Sequence, residues 1–455
     1  MAVRLIAAKM AFLSWSRSGD LFAVRRKMNS IIGINAAKLT YFVLFTVIVS
    51  CGAVRAAESG SDAWIGTWTA APQPFMPTGL LRFRNQTLRL VVHTSIGGHS
   101  LRIHLSNTYG HEPLTLGAVR IARRTNGADT QPDTGRIVRF RGLPSVTIPT
   151  GASVTSDPVR LEVPKSTDLA VSLYFPYDAA ATTSHLLAMQ SGYIAFDKGD
   201  RTGANHFKVG KTIHSWPFLT GIDVNTFGAP GALVVFGDST VDGDGSTADS
   251  NRRWPDEIAR ALNSDATKKA IAVLGAGIVG NRLLRGSPRD PPSEFGDALG
   301  EAGVVRFERD ALSSPATKWV IVRLGINDLG LPGSLARARD AIGAADLIDG
   351  YKSLIQKAHQ HLVRIYGTTL GPFEGADVGP GYYSPEKEAI RQEVNSWIRT
   401  GGQFDGIVDL DAILRDPQHP SRLLPTFDSG DHLHPNDAGN AASASPVTRQ
   451  LLDGH

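Results

Sequence analysis

A serine, a histidine and an aspartate stand in this chain where acyl transfer would use them. Ser239 lies in Val235-Phe-Gly-Asp-Ser-Thr-Val-Asp242, and Asp431 precedes His434 by three residues in Asp431-His-Leu-His-Pro435. A hydroxyl is a weak nucleophile until an imidazole takes its proton. His434 is the candidate base, and Asp431 on the same loop can fix the ring's tautomer and balance the imidazolium. Attack on an ester carbonyl puts negative charge on its oxygen, which calls for preorganised donors. Gly277-Ile-Val-Gly-Asn281 offers the N–H of Gly280, Gly325-Ile-Asn-Asp328 offers the side-chain amide of Asn327, and Ser239 adds its own N–H. Lacking a Cβ, Gly280 lets an acyl oxygen approach its backbone closely. Asp328 reads as a helix cap, and His432 as a residue shaping the pocket mouth.

These motifs need a scaffold that brings them to one edge. After residue 231 apolar strand candidates, Ala232–Phe236, Ala270–Leu274, Trp319–Leu324, Val363–Gly367 and Gly406–Leu410, alternate with helical patterns at Trp254–Leu262, Ala345–His361 and Pro385–Thr400. The last starts with Ser384 as N-cap and Pro385 in the first turn, and stops at Gly401. That alternation predicts a mainly parallel sheet covered on both faces, with ligands at the carboxyl ends of its strands. Three motifs follow the first three strands, and the Asp–His loop precedes the last helix.

From 61 to about 228 the texture is all-β. Short alternating segments such as Leu88–Thr94, Leu101–Leu105, Val159–Val163 and Leu169–Tyr174 are punctuated by Gly, Asn, Pro and Asp, as in a sandwich of jelly-roll type. The organisation is thus a leader over 1–56, a β-sandwich over 57–228 and an α/β catalytic domain over 229–455. Trp64 and Trp68 could stack on sugar rings, but their spacing at a domain start favours core, and the sandwich reads as a buttress.

With its four motifs in this order, the chain resembles the SGNH (GDSL-type) hydrolase superfamily, whose signature residues would be Ser239, Gly280, Asn327 and His434. More narrowly it looks like secreted bacterial esterases with an N-terminal β-sandwich, on the strength of Trp64-Ile-Gly-Thr-Trp68-Thr-Ala-Ala-Pro-Gln73, Asn251-Arg-Arg-Trp-Pro255 and Gly430-Asp-His-Leu-His-Pro-Asn-Asp-Ala-Gly439. The resemblance implies a flavodoxin-like, five-stranded parallel sheet and ester hydrolysis without a cofactor. Three departures stand out. Thr240 replaces the Leu or Ile after the nucleophile, which alters packing behind the serine. Gly275 stands where an Asn is common, so the hydrogen bond that Asn would make to neighbouring loops is missing or replaced. Asn440–Pro446 is a poor helix behind His434.

Charge excludes other classes. The formal charge of +4 and pI of 9.1 belong to residues 1–56, which carry eight Lys/Arg against one acid. Residues 57–455 hold 39 basic and 42 acidic residues, a charge of −3, so nothing attracts nucleic acid. Arg25, Arg26, Lys27 and Lys38 before the apolar run Leu39–Ser50 read as an export signal, with Val54-Arg55-Ala56 ahead of the cut and Met28 an alternative start. The expected location is secreted or periplasmic. Ile48-Val49-Ser50-Cys51 resembles a lipobox, so a membrane is a partner only if Cys51 is lipidated. Cys51 is the single cysteine, which leaves the body without disulfides or cysteine ligands.

Rival motifs are weaker. Gly275-Ala-Gly-Ile-Val-Gly280 matches a dinucleotide fingerprint, but it follows the second strand and runs into Arg285-Gly-Ser-Pro-Arg-Asp-Pro-Pro292. Asp242, Asp244, Ser246 and Asp249 lack the closing acid of a calcium loop, and no G-x-S-x-G elbow occurs. The sequence therefore predicts hydrolysis of short-chain acyl esters, O-acetylated carbohydrate among them, through an acyl-enzyme on Ser239. The alternatives are a non-catalytic carbohydrate-binding protein on the same scaffold and, behind it, a dinucleotide-binding protein.

Overall fold

Alternating apolar and polar residues become strands throughout the first half of the computed structural model, which describes residues 62–76, 78–288 and 295–453. The leader, with its export-signal and Cys51 readings, lies outside the described residues. The strands used below are β1 (Asp62–Thr69), β2 (Gln86–His93), β3 (Gly98–Ser106), β4 (Ala118–Arg123), β5 (Arg136–Ile137), β6 (Ser153–Thr155), β7 (Val159–Val163), β8 (Asp168–Phe175), β9 (Gly192–Ala195), β10 (Val209–Ile213) and β11 (Leu219–Phe227). They form two antiparallel sheets, ordered β1-β11-β3-β6, with β7 also on β3, and β10-β9-β2-β8-β4-β5. Leu88, Leu90 and Val92 of one sheet share a core with Leu101, Ile103, Ile222 and Val224 of the other. Neither tryptophan is a bare sugar platform. Trp68 is buried edge-on against Trp216, centroids 4.9 Å apart, and Trp64 carries the Arg102 guanidinium 4.7 Å from its ring centre.

The second half is a parallel sheet of β12 (Ala232–Gly237), β13 (Ala272–Ala276), β14 (Thr317–Arg323), β15 (Arg364–Thr368) and β16 (Gly406–Val408), ordered β13-β12-β14-β15-β16. This is the doubly wound order in which the chain reverses direction beside its first strand. Every residue of β12 is buried, as a central strand covered on both faces must be. Helices α1 (Ser239–Asp242), α2 (Trp254–Leu262), α3 (Ile326–Gly330), α4 (Ala344–Gln360), α5 (Pro385–Thr400) and α6 (Asp437–Ala444) fill the connections. Ser384 caps α5 by accepting from the N–H of Lys387. β13 starts two residues later than the apolar run suggests, because the N–H of Ile271 is taken by the Asn263 side chain at 2.8 Å.

Contrary to the expectation of a poor helix, Asn440–Ala444 completes α6, which stops two residues before Pro446, and a separate turn, Arg449–Asp453, follows. That turn is still held, because the carbonyl of Leu452 accepts from Trp319 Nε1 and the Tyr366 hydroxyl, each at 2.9 Å.

Residues Asp62–His455 form one compact unit, and the two halves share a core in which Ile65 and Trp68 join Leu274 and Ala276. β1 lies over β13 so closely that a Cβ on Gly66 would meet Leu274 Cδ1 at 2.9 Å. Thr69 donates to the carbonyl of Gly275 at 2.8 Å, and the N–H of Val273 donates to Ser95 Oγ at 3.0 Å. The strand at Gly275 is thus tied to the other half through its main chain. Deleting residues 57–228 should leave a remainder that cannot fold, because it exposes the core face of β13 and unpaired edge groups. A cooperative thermal transition in the 229–455 fragment, read by circular dichroism, would refute this.

Candidate active site

Ser239 opens α1 directly after β12, and a tight turn presents it. Asp238 caps that turn, its Oδ1 accepting from the N–H of Thr240 at 3.0 Å and the Thr240 hydroxyl at 2.7 Å. Thr240 is therefore not a packing residue behind the serine; its hydroxyl fastens the turn, which Leu or Ile could not do. Gly243, at φ 95°, ends the helix by donating to the carbonyl of Ser239 at 2.9 Å. The N–H of Ser239, in the first turn, has no acceptor within the helix.

His434 reaches this serine from the loop before α6. Ser239 Oγ lies 2.8 Å from His434 Nε2, and His434 Nδ1 lies 2.5 Å from Asp431 Oδ2. The other oxygen of Asp431 accepts from the N–H groups of Leu433 and His434 at 2.9 and 2.8 Å and from the Ser429 hydroxyl at 3.0 Å. Burial opposes ionisation of Asp431, but the bond and charge of His434, with those two N–H groups, hold its carboxyl well below the usual range. An ionised Asp431 puts the proton on Nδ1 and leaves Nε2 to accept from the serine. Burial likewise opposes a charged His434, yet Asp431 and Asp244, the latter 3.8 Å from Nε2, raise its pKa above the ordinary value. His432 is exposed at the loop's rim, in a left-handed conformation (φ 61°) and bonded to Asp428 at 2.5 Å.

The candidate oxyanion donors stand at the next two strand ends. Gly280 has φ 68°, and a Cβ there would meet Leu299 Cδ2 at 2.8 Å. The positive φ of this turn is what favours glycine here, whatever approaches its N–H. Asn327, on α3, donates from Nδ2 to the carbonyl of Asn281 at 3.1 Å and accepts at Oδ1 from the Tyr382 hydroxyl at 2.8 Å.

Asp328 does not cap its helix. Gly325 is the N-cap of α3, with no side-chain bond. The carboxyl of Asp328 instead accepts from the N–H groups of Leu283 and Leu284 at 2.6 and 2.9 Å, tying α3 to the loop after Gly280. Burial pushes its pKa up to about 7, against the pull of those two N–H groups.

Two fully buried residues with no sequence signal organise this edge. Arg306 donates to the carbonyls of Gly237 and Ala276 at 2.6 and 3.0 Å and to Asn281 Oδ1 at 2.9 Å. Its charge is met by Asp310 at 3.2 Å, and its guanidinium lies 4.1 Å from the Phe236 ring centre. His185, from the antiparallel half, lies 3.3 Å from Asp242 at the end of α1. Its Nδ1 faces the carbonyl of Ala71 at 3.0 Å and its Nε2 that of Leu187 at 3.1 Å. With acceptors at both nitrogens, the ring satisfies its surroundings only as the doubly protonated cation.

The rival motifs dissolve in this arrangement. Among the described residues the first helix after β13 begins at Gly303, so Gly275–Gly280 presents no helix N-terminus to a pyrophosphate. Asp242, Asp244 and Asp249 face His185, His434 and Ser191 respectively. Among the described residues no group of three or more acids, histidines or cysteines is placed to hold a metal, and no helix is long and apolar enough to cross a membrane.

Residues 235–442 match the family model of the GDSL-like Lipase/Acylhydrolase family. Among solved structures, a variant of an acetyl xylan esterase from Geobacillus stearothermophilus is 20% identical over 50% of this chain and 97% of its own, with a TM-score of 0.35. A GDSL-like lipase from Bacteroides thetaiotaomicron VPI-5482 is 16% identical over 49% of this chain and 88% of its own, with a TM-score of 0.32. No curated protein matches the chain significantly.

The His185–Asp242 contact sets a pH dependence of stability. Burial opposes the charged ring, but Asp242 and the carbonyl of Ala71 outweigh it and, against Arg253, raise the pKa of His185. A raised folded-state pKa stabilises fully below the unfolded imidazole value, about 6.5, and that stability is lost as pH rises through the folded value. The melting temperature should fall over this interval, and in His185→Leu the fall should flatten. An unaltered pH profile in the variant would remove His185 as its cause.

Proposed function

Residues 235–442 are a GDSL-like lipase/acylhydrolase domain, an ester hydrolase, and from that premise we propose that this chain hydrolyses short-chain acyl esters, O-acetylated carbohydrate among them, through an acyl-enzyme on Ser239. The unbroken path Ser239 Oγ–His434–Asp431, at 2.8 and 2.5 Å, carries this reading. The Ser239 oxygen attacks the ester carbonyl while its proton passes to His434 Nε2. The tetrahedral oxyanion is met by the N–H groups of Ser239 and Gly280 and by the amide of Asn327. On collapse, the C–O bond to the alcohol breaks and His434 returns the proton to the departing oxygen. Water, deprotonated by the same Nε2, then attacks the acyl carbon and frees the acid.

The preference for a small acyl group rests on the placement of the site on loops at the edge of the parallel sheet. The buttress role proposed for the antiparallel half is supported by the shared core and by His185 at the end of α1. Export is supported by the basic residues and apolar run of the leader.

Ser239→Ala should abolish turnover of p-nitrophenyl acetate with an unchanged melting temperature, and retained turnover would overturn the assignment. Asn327→Ala should lower kcat by about 10²–10³; a loss confined to KM would make Asn327 a binding residue only. His434 acts as a base only when neutral, so its raised pKa places the acid limb of kcat/KM above the ordinary imidazole value, about 6.5. Asp431→Asn should move that limb downward and lower kcat. Across p-nitrophenyl esters of increasing length, kcat/KM should be highest for the shortest chains, and a maximum at long chains would rule out the short-acyl preference.

A further inference from the structure

Asn327 has an arrangement that the reading above, on which this inference rests, does not require of an oxyanion donor. Its amide is planar and has four hydrogen-bonding directions: two lone pairs on Oδ1 and the two hydrogens of Nδ2. Two are already taken. One Nδ2 hydrogen goes to the carbonyl of Asn281 at 3.1 Å, and Oδ1 receives the Tyr382 hydroxyl at 2.8 Å. Anchoring the plane at both Nδ2 and Oδ1 fixes its orientation, and with it the direction of the remaining N–H. A flipped amide would set Oδ1 against the carbonyl of Asn281, acceptor on acceptor, so a single orientation survives.

Tyr382 is built for this contact. It is fully buried, and its phenol stays protonated because burial, with the charges of Asp238, Asp328 and Asp431, pushes its pKa well above the ordinary value. It therefore donates at any working pH. Its ring reaches α3 only because residue 330 is glycine, where a Cβ would meet the ring at 2.3 Å. Phe373 supports it edge-on, with centroids 6.1 Å apart. The Lys387 ammonium then fastens the two segments together. It donates toward the carbonyls of Gly330 and Pro332, beyond Asn327, at 2.9 and 2.7 Å, and toward those of Gly381 and Tyr382 at 2.6 and 3.2 Å.

We propose that Tyr382 is a positioning residue for ester hydrolysis, which aims the free N–H of Asn327 at the developing oxyanion by holding the amide oxygen from behind. The same loop also reaches the acid that orients the base, since the N–H of Asp377 donates to the carbonyl of Asp431 at 2.9 Å. The segment between β15 and α5 thus touches both the acid that orients His434 and the residue that meets the negative charge.

The test is a double-mutant cycle on the full chain with p-nitrophenyl acetate. Tyr382→Phe keeps the ring and should lower kcat roughly tenfold, a part of the 10²–10³ range for losing a whole oxyanion donor, with KM nearly unchanged. Affinity for an alkylboronic acid, whose serine adduct is tetrahedral and negatively charged, should weaken in parallel. In an Asn327→Ala background the same change should cost nothing further. An unchanged kcat in Tyr382→Phe, or an equal loss in both backgrounds, overturns the proposal. Failure of the underlying hydrolase reading would appear separately, as retained turnover in Ser239→Ala. Should Tyr382→Phe not fold, the unmutated protein still decides. Its Asn327 side-chain amide, identified in NMR spectra by its absence from Asn327→Ala, should exchange slowly with solvent, and rapid exchange overturns the proposal.

Discussion

The guanidinium of Arg306 is the interaction on which the site depends. The carboxyl ends of two adjacent parallel strands bring carbonyl oxygens to one edge, where their partial charges repel and the chain must turn away from the ladder. Arg306 meets the carbonyls of Gly237 and Ala276, the last residues of β12 and β13, and the side chain of Asn281 as well. The N–H of Ile278 also donates to the carbonyl of Gly237, at 3.1 Å. The turn that presents Ser239 and the turn that presents Gly280 therefore share one buried cation. Without Arg306 those carbonyls and Asn281 Oδ1 would lose a buried donor, at about 1–3 kcal/mol for each group left unsatisfied, while Asp310 would keep Arg309, whose Nε lies 2.7 Å from its Oδ1. With Arg306 in place, the turns that carry Ser239 and Gly280 are fixed relative to one another from below.

From this point order passes outward through Asn281. Its Oδ1 is held by Arg306, its Nδ2 donates to the carbonyls of Leu299 and Glu301 at 2.8 Å each, and its own carbonyl receives Asn327. Asp328, the next residue, ties the same loop to α3 a second time through Leu283 and Leu284. Buried polar networks are costly when partly satisfied and rigid when complete. Here the completed bonds join residues that lie 44 and 45 positions apart, which is how a site on loops becomes as precise as one on regular elements.

The parts of this architecture legible in the sequence were those written in local pattern. The limits of α2 and α5 coincide with their periodic runs, and the five parallel strands lie within a few residues of the apolar segments. Ser239, His434 and Asp431 were singled out because a nucleophile, a base and an acid must each sit where a strand or loop can expose them, and the fold brings the three within hydrogen-bonding reach. What escaped notice acts at long range. Arg306 reads as one basic residue in an apolar helix, Gly303–Phe307, and Tyr382 as an aromatic in a Gly- and Pro-rich loop with no period at all. Asp328 was misread because an acid at a helix start usually caps it, whereas Gly325, at φ 132°, already supplies the turn. Local propensity says what a residue does to its neighbours and nothing about a partner 45 residues back.

The antiparallel half follows the same logic on a larger scale. A sandwich tethered by a linker would move freely, and its fold would say nothing about the reaction. Here β1 covers the edge strand β13, so neither half can bury its own apolar surface alone, and association of the halves is part of folding. His185 adds a charge to that apolar contact. It comes from the antiparallel half, is buried, and faces Asp242 at the far end of the helix that Ser239 begins. A buried imidazolium is tolerated only where acceptors surround it, so its position is as constrained as that of Arg306. The nucleophile's helix is therefore held at its start by the catalytic sheet and at its end by the antiparallel half. Its four residues are too few to keep a direction of their own.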